Sequence, residues 1–454
     1  MEISRSERIP SPAVAAPTAA RAGRDAWLRY DRIAVGGLLT LQLCLYFFWS
    51  TTQFPAAPGT WWQPLFDRSG PVILPVMFGV QLLLIAAATP LAWAQHVELR
   101  RSRPVMLLLV VVVAGLVTVP LAYLDHFAQV KIWKDVAFLT GYLLVPIVLL
   151  LSATAARRFF FLFLGLGFLA GAVGLEEAIH RATQLHLTAG QFLTYMYRVY
   201  AGGQYTELVI LFGVVAMLGS FRGAWKQPLH AAAMVAFVYA AIRFRLYFTR
   251  LYWIALGLIV PLTLILVLPR RALRSGLIAA VILGGVFILA TPLINALANQ
   301  TDISSRLSAP NNVSIEFRAI ESRLLAEKVV HRPVTGWGPG GTIAPNIPEE
   351  PQRNDTSSFF DGYLGVAYKF GLLVLGVLIA AILFAGWTMS RALRRPLSRL
   401  DAALIAGAAA YLLGVLATSP AQDLLFSNFS AIPLALMMGI GLRLGAQPEA
   451  ATRS

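Results

Sequence analysis

Apolar residues run along the chain in long blocks, separated by short polar or basic stretches. Blocks of about twenty residues are wide enough to cross roughly 30 Å of hydrocarbon as helices. None shows the two-residue alternation of a closed barrel, so helices remain the way to satisfy the backbone in lipid. The pattern predicts about twelve transmembrane helices, at 33–54, 71–95, 104–124, 136–153, 159–175, 205–220, 229–242, 251–269, 275–297, 362–386, 401–418 and 428–442. The expected fold is an all-α, polytopic membrane protein. Its expected parts are a disordered cytoplasmic tail (1–32), helices one to nine (33–297), a large external loop with an amphipathic helix (298–361), helices ten to twelve (362–442) and a cytoplasmic tail (443–454).

Composition and charge sharpen this picture. Of 454 residues 57% are hydrophobic and 13% charged, against about 25% charged in an ordinary soluble domain. With the N-terminus inside, the cytoplasmic segments hold 22 of the 37 Lys and Arg residues but 7 of the 22 Asp and Glu residues. The whole formal charge of +15 then falls on that side, as the positive-inside rule requires. The pI of 10.3 therefore reports topology, not nucleic-acid binding. Residues 1–32 are rich in Pro, Ala and Arg and lack the apolar core of a signal peptide. Cys44 is the one cysteine, which excludes an intramolecular disulfide.

The predicted outer face carries what the spans do not explain. Arg243, Arg245 and Arg250 cluster on the side that the charge rule disfavours. In the long loop, Ile320, Leu324, Leu325 and Val329 recur at three- and four-residue spacing, which predicts an amphipathic helix over 313–332. Arg318, Glu321, Arg323 and Lys328 form its expected polar face. Pro333 stops the helix, and Gly336, Gly338, Gly340 and Gly341 make a backbone-permissive turn. The next helix begins near Asp361.

Arg318, its helix, and then Pro333, Gly336, Trp337, Gly338 and Gly340 resemble the signature of the O-antigen ligase and polymerase superfamily. Asp361, Tyr363, Leu364, Phe370 and Gly371 stand where that family has an aromatic-and-leucine segment leading into a helix with a central Gly. Thr249, Arg250 and Trp253 resemble a second family stretch, and Arg198 a third. The resemblance covers roughly 190–390. It implies a multi-pass protein of the bacterial inner membrane whose active site faces the periplasm. It also implies a metal-independent glycosyltransferase that needs no cofactor and takes a polyprenyl-diphosphate-linked glycan as donor. Its other partners would be an acceptor glycan, membrane lipid and a chain-length regulator protein. Ligase members carry a His–Asn pair just before the helix, whereas Phe360 and Asp361 stand here. That departure favours the polymerase side of the family.

The chemistry explains which residues matter. A departing diphosphate develops negative charge, so fixed cations must sit where it leaves. Arginine suits this because its planar fork bonds phosphate oxygens in pairs and stays protonated. Arg250, Arg318, Arg198, Arg245, Arg243 and Arg323 are the diphosphate-binding candidates. The acceptor hydroxyl needs a proton acceptor, and Asp361 and Glu207 are the catalytic candidates. Asp361 reads equally well as a helix cap, and Lys369 reads as a snorkelling side chain or a partner of Glu207. The expected function is polymerisation of lipid-linked repeat units into O-antigen or exopolysaccharide. The alternatives are a ligase transferring the glycan to a lipid acceptor and, from another class, a lipid-linked sugar flippase or transporter.

Overall fold

The computed structural model describes residues 32–47, 63–163, 165–166, 169, 183, 313–343, 359, 361–419, 425–426 and 431–446. Of these, 83% are helical and none forms a strand. The described elements are α1 (Arg32–Phe47), α2 (Gln63–Ala94), α3 (His96–Arg101), α4 (Arg103–Val117), α5 (Val119–Leu124), α6 (Gln129–Gly141) and α7 (Leu144–Leu150). A helical run follows at 153–163. Then come α8 (Val313–His331), α9 (Gly362–Ala392), α10 (Arg399–Thr418) and α11 (Ala431–Gly445). Five helical segments are long and apolar enough to cross a membrane: Pro75–Ala94, Arg103–Leu124, Gln129–Leu150, Gly362–Ala392 and Leu400–Ala417. The expected spans at 205–220, 229–242, 251–269 and 275–297 lie outside the described residues.

The bundle is held by interlocking apolar side chains from α1, α2, α4, α6, α7, the run at 153–163 and α9 to α11, with Tyr46, Phe138, Tyr142, Phe160, Phe163 and Phe370 fully buried. In lipid such packing replaces the hydrophobic drive, and buried amides act as glue. Gln42 Nε2 donates to Gln81 Oε1 at 3.2 Å, and Gln81 Nε2 donates to Thr140 Oγ1 at 2.8 Å and Ala137 O at 3.0 Å. This ties α1, α2 and α6 together at a fixed register.

The bundle has two distinct ends. At one, Arg157 reaches Asp401 with two 2.7 Å bonds, and Ser398 caps α10 by accepting from Asp401 N at 3.1 Å. This is the end that the charge pattern predicts to be cytoplasmic. At the other end, Gly362 N donates to Ser419 O at 2.8 Å, so the start of α9 meets the end of α10. The segment 332–343 packs here as well, against α5, α6 and the first turns of α9.

Two expectations need correction. The fourth span starts earlier than 136, at Gln129, and turns at Tyr142–Leu143. In α8 the buried stripe is Glu321, Leu325 and Val329, spaced at four residues, while Ile320 is 37% exposed. Glu321 thus belongs to the packed face, not the polar one, because it lies one turn before Leu325 on the same side.

Candidate functional site

The element that organises this end is a break in α9. Gly371 takes φ 88° and ψ 162° inside an otherwise helical run. In an unbroken helix Tyr368 O and Lys369 O would accept from the amides of residues 372 and 373. Here they accept instead from Trp337 N and Gly338 N, each at 2.8 Å, while Leu372 N donates to Pro333 O at 2.7 Å. The glycine loop is therefore spliced into the helix through backbone bonds. Unsatisfied backbone at membrane depth costs several kcal/mol, which is why a break needs such a partner.

Close approach explains the glycines. A Cβ on Gly371 would overlap the Val334 carbonyl, and one on Gly336 would meet Lys369 backbone at 2.6 Å. Gly336, Gly338 and Gly340 all have positive φ, at 65°, 93° and 83°. A Cβ on Gly338 would press into Ala122, and one on Gly340 into Ile132. The loop is wedged between α5, α6 and α9.

Charged side chains lock the wedge. Asp135 Oδ2 pairs with Lys369 Nζ at 2.8 Å and accepts from Gly340 N at 2.6 Å. Both side chains are buried, and Lys369 also lies 5.3 Å from the Phe359 ring centroid and 5.4 Å from that of Phe426. Nearer the surface, Arg332 grips Asp125 at 2.5 and 3.2 Å and lays its guanidinium over Trp337, 4.1 Å from the centroid. Trp337 stacks on Tyr368, and its Nε1 donates to Lys328 O at 3.0 Å. Tyr368 OH donates to Thr342 O at 2.9 Å.

Of the candidate residues, the structure describes three. Asp361 is the N-cap of α9: its Oδ1 accepts from Tyr363 N at 3.0 Å and Leu364 N at 2.9 Å. Among the described residues both of these bonds fall on Oδ1. Arg318 is half-buried on α8, two turns before Leu325, which shares an apolar cluster with Phe359, Ala367 and Tyr368. Arg323 faces outward, 83% exposed, and pairs with Glu327 at 3.1 Å. Such a surface pair is worth little. Glu207, Arg198, Arg243, Arg245 and Arg250 lie outside the described residues.

Asp125, Asp135 and Arg332 were missed by the sequence reading. The signal was Lys369, a lone ammonium in an apolar run, which must either reach the interface or meet a carboxylate. Among the described residues that carboxylate is Asp135, nearly two turns into the neighbouring span that begins at Gln129.

Burial pushes the Asp361 carboxyl above its usual range, against the two backbone hydrogen bonds that lower it. The folded chain then keeps a proton at a pH where the unfolded chain has lost it. Stability accordingly falls as pH rises from the ordinary carboxylate value, about 3.9, through the raised one. Asp361→Asn retains capping and should change stability by less than about 1 kcal/mol while flattening that slope. Unfolding midpoints in detergent, measured against pH, check this. An unaltered slope in the Asn variant would assign it to other groups.

No family model matches the chain, and no curated protein matches it. The functional reading therefore rests on the residues and their geometry.

Proposed function

We propose that this protein is a polymerase that joins polyprenyl-diphosphate-linked oligosaccharide repeat units into a polysaccharide, O-antigen or exopolysaccharide. The reaction takes place on the outer face of the bacterial inner membrane. The observation that carries this reading is the splice. The two segments on which the family resemblance rests, 333–340 and 361–373, interlock through backbone hydrogen bonds at Tyr368, Lys369 and Leu372. The helix bearing Arg318 ends directly in the first of them.

In this reading the acceptor hydroxyl oxygen attacks the anomeric carbon of the donor. The bond from that carbon to the diphosphate breaks, and the diphosphate leaves on its polyprenyl carrier. The hydroxyl proton passes to a carboxylate, Asp361 or Glu207. The raised affinity of Asp361 for a proton supports it in that role, as does the placement of both its backbone bonds, among the described residues, on Oδ1 alone. Arg318, with Arg250, Arg198, Arg245 and Arg243, would balance the charge on the leaving diphosphate. Arg323 is a weaker contributor, being turned outward to Glu327.

A deletion strain separates this function from transfer to a lipid acceptor. Loss of a polymerase leaves single repeat units on the carrier, whereas loss of a ligase leaves long polymer there. We expect single units on a gel of extracted glycolipids. Complementation with Arg318→Ala should give no polymer at unchanged membrane abundance, and Lys should restore little, because a point charge cannot reproduce the planar fork. Asp361→Asn, if it removes a general base, should slow chain growth by about 100-fold to 10,000-fold. Long carrier-linked polymer in the deletion strain would overturn the polymerase reading. Full complementation by the Asn variant would leave Asp361 as a cap alone.

A further inference from the structure

Four apolar side chains are exposed around the splice. Val330 is 76% exposed, Val334 65%, Leu372 49% and Leu373 63%. Pro333, between the first two, is exposed as well. The splice makes them one patch, since Pro333 O accepts from Leu372 N at 2.7 Å and Val334 lies against Gly371.

The depth of this patch follows from counting. Gly362–Ala392 has 31 residues, about 46 Å at 1.5 Å per residue, too long for roughly 30 Å of hydrocarbon. Arg391 marks one boundary, its guanidinium turned 4.1 Å from the centroid of the Trp387 ring. A span of about twenty residues counted back from Arg391 ends at Gly371. Leu372 and Leu373 therefore fall just inside the opposite boundary, and Val334, docked on Gly371, falls at the same depth.

The α4–α5 segment reaches the same depth. About twenty residues from Arg103 reach Tyr123. The exposed Leu124 and then Asp125 follow, and Asp125 holds Arg332.

The patch also continues along α9 into its outward face, through Leu383 and Trp387. Exposed Lys328 and His331 border it on the polar side. Apolar tips flanked by a lysine and other polar side chains are what an interfacial anchor presents to lipid.

We propose that the Pro333–Val334 tip, together with Val330, is inserted into the bilayer at its hydrocarbon boundary, with Lys328 and His331 at the level of the lipid phosphates. The loop is thus anchored twice, to α9 by backbone bonds and to the membrane by its own side chains. This fixes the depth of the Asp125–Arg332 and Asp135–Lys369 pairs. The inference rests on geometry and holds whatever reaction the protein performs.

Spin labels test it in the full-length chain, with Cys44 replaced by Ser, in phosphatidylethanolamine–phosphatidylglycerol vesicles. Single labels go to Val334→Cys and Val330→Cys, with Arg323→Cys as the water reference and Leu383→Cys as the lipid reference. Oxygen partitions into hydrocarbon and a nickel chelate stays in water. We expect oxygen collisions to dominate at 334 and 330, as at 383. Dominance of the nickel chelate at both positions, as at 323, would overturn the proposal. So would low collision with both reagents, which would mean that protein covers the patch.

Discussion

Gly371→Ala should destabilise the folded protein by about 4 kcal/mol. At φ 88° and ψ 162° only glycine sits comfortably, and an L-residue there costs about 1–3 kcal/mol. The new Cβ also drives the Val334 carbonyl away, which separates the loop from Tyr368, Lys369 and Leu372. Three backbone hydrogen bonds, at about 1 kcal/mol each, go with it. Gly376→Ala is the matched control, since a Cβ there meets nothing within 4 Å. In that helix interior the same change should stabilise by up to about 1 kcal/mol. One methyl group, placed five residues apart, is thus expected to act with opposite sign. Thermal unfolding in detergent reads both variants. Equal effects at the two positions would mean that the loop is not spliced into α9.

The second large effect belongs to the buried ion pair. Removing one partner of such a pair costs about 3–5 kcal/mol, because the other charge stays buried. Lys369→Met and Asp135→Asn should each show a loss of that order. The Asn retains an acceptor for Gly340 N, the bond that Asp135 supplies at 2.6 Å. Combining the two substitutions removes both charges and leaves that bond in place. The double variant should then lose less than the sum by about 2 kcal/mol or more, a coupling expected of groups in direct contact. A double-mutant cycle of unfolding free energies measures it. Strict additivity would show that Asp135 and Lys369 are each held by other neighbours.

The functional proposal draws on both expectations. Arg318 stands on a helix that ends in the splice, and Asp361 caps the helix that the splice interrupts. Breaking the wedge at Gly371 should therefore disturb both candidates together, although neither is touched by the substitution.

Much of this was legible from residue order, because it depends on local rules. Apolar blocks long enough for a bilayer gave the helical class. Pro333 ended α8 at His331, and Asp361 marked the start of α9 as a residue that accepts from the first free amides. The run of glycines marked a turn needing positive φ, and three of them adopt it. Lys369 among apolar residues stood out as a charge needing either a carboxylate or a reach to the interface, and the sequence left the two open. Each signal lies within a few residues of the feature it reports.

Only the tertiary structure decided the partners. Gly371 stood out in sequence only by its place in the family-like segment, and nothing there showed that it breaks the helix; Gly376 and Gly386 have open space where Gly371 has the Val334 carbonyl. Glu321 reads as polar surface and is buried, because α8 presents the face it shares with Leu325. Lys369 had several carboxylates within the chain to choose from, and Asp135 holds it across a sequence separation that no periodicity spans. Periodicity reports which face of an element is apolar. Which distant backbone fills a break, and which carboxylate meets a buried ammonium, is set by the packing of α5, α6, α8 and α9 around one loop.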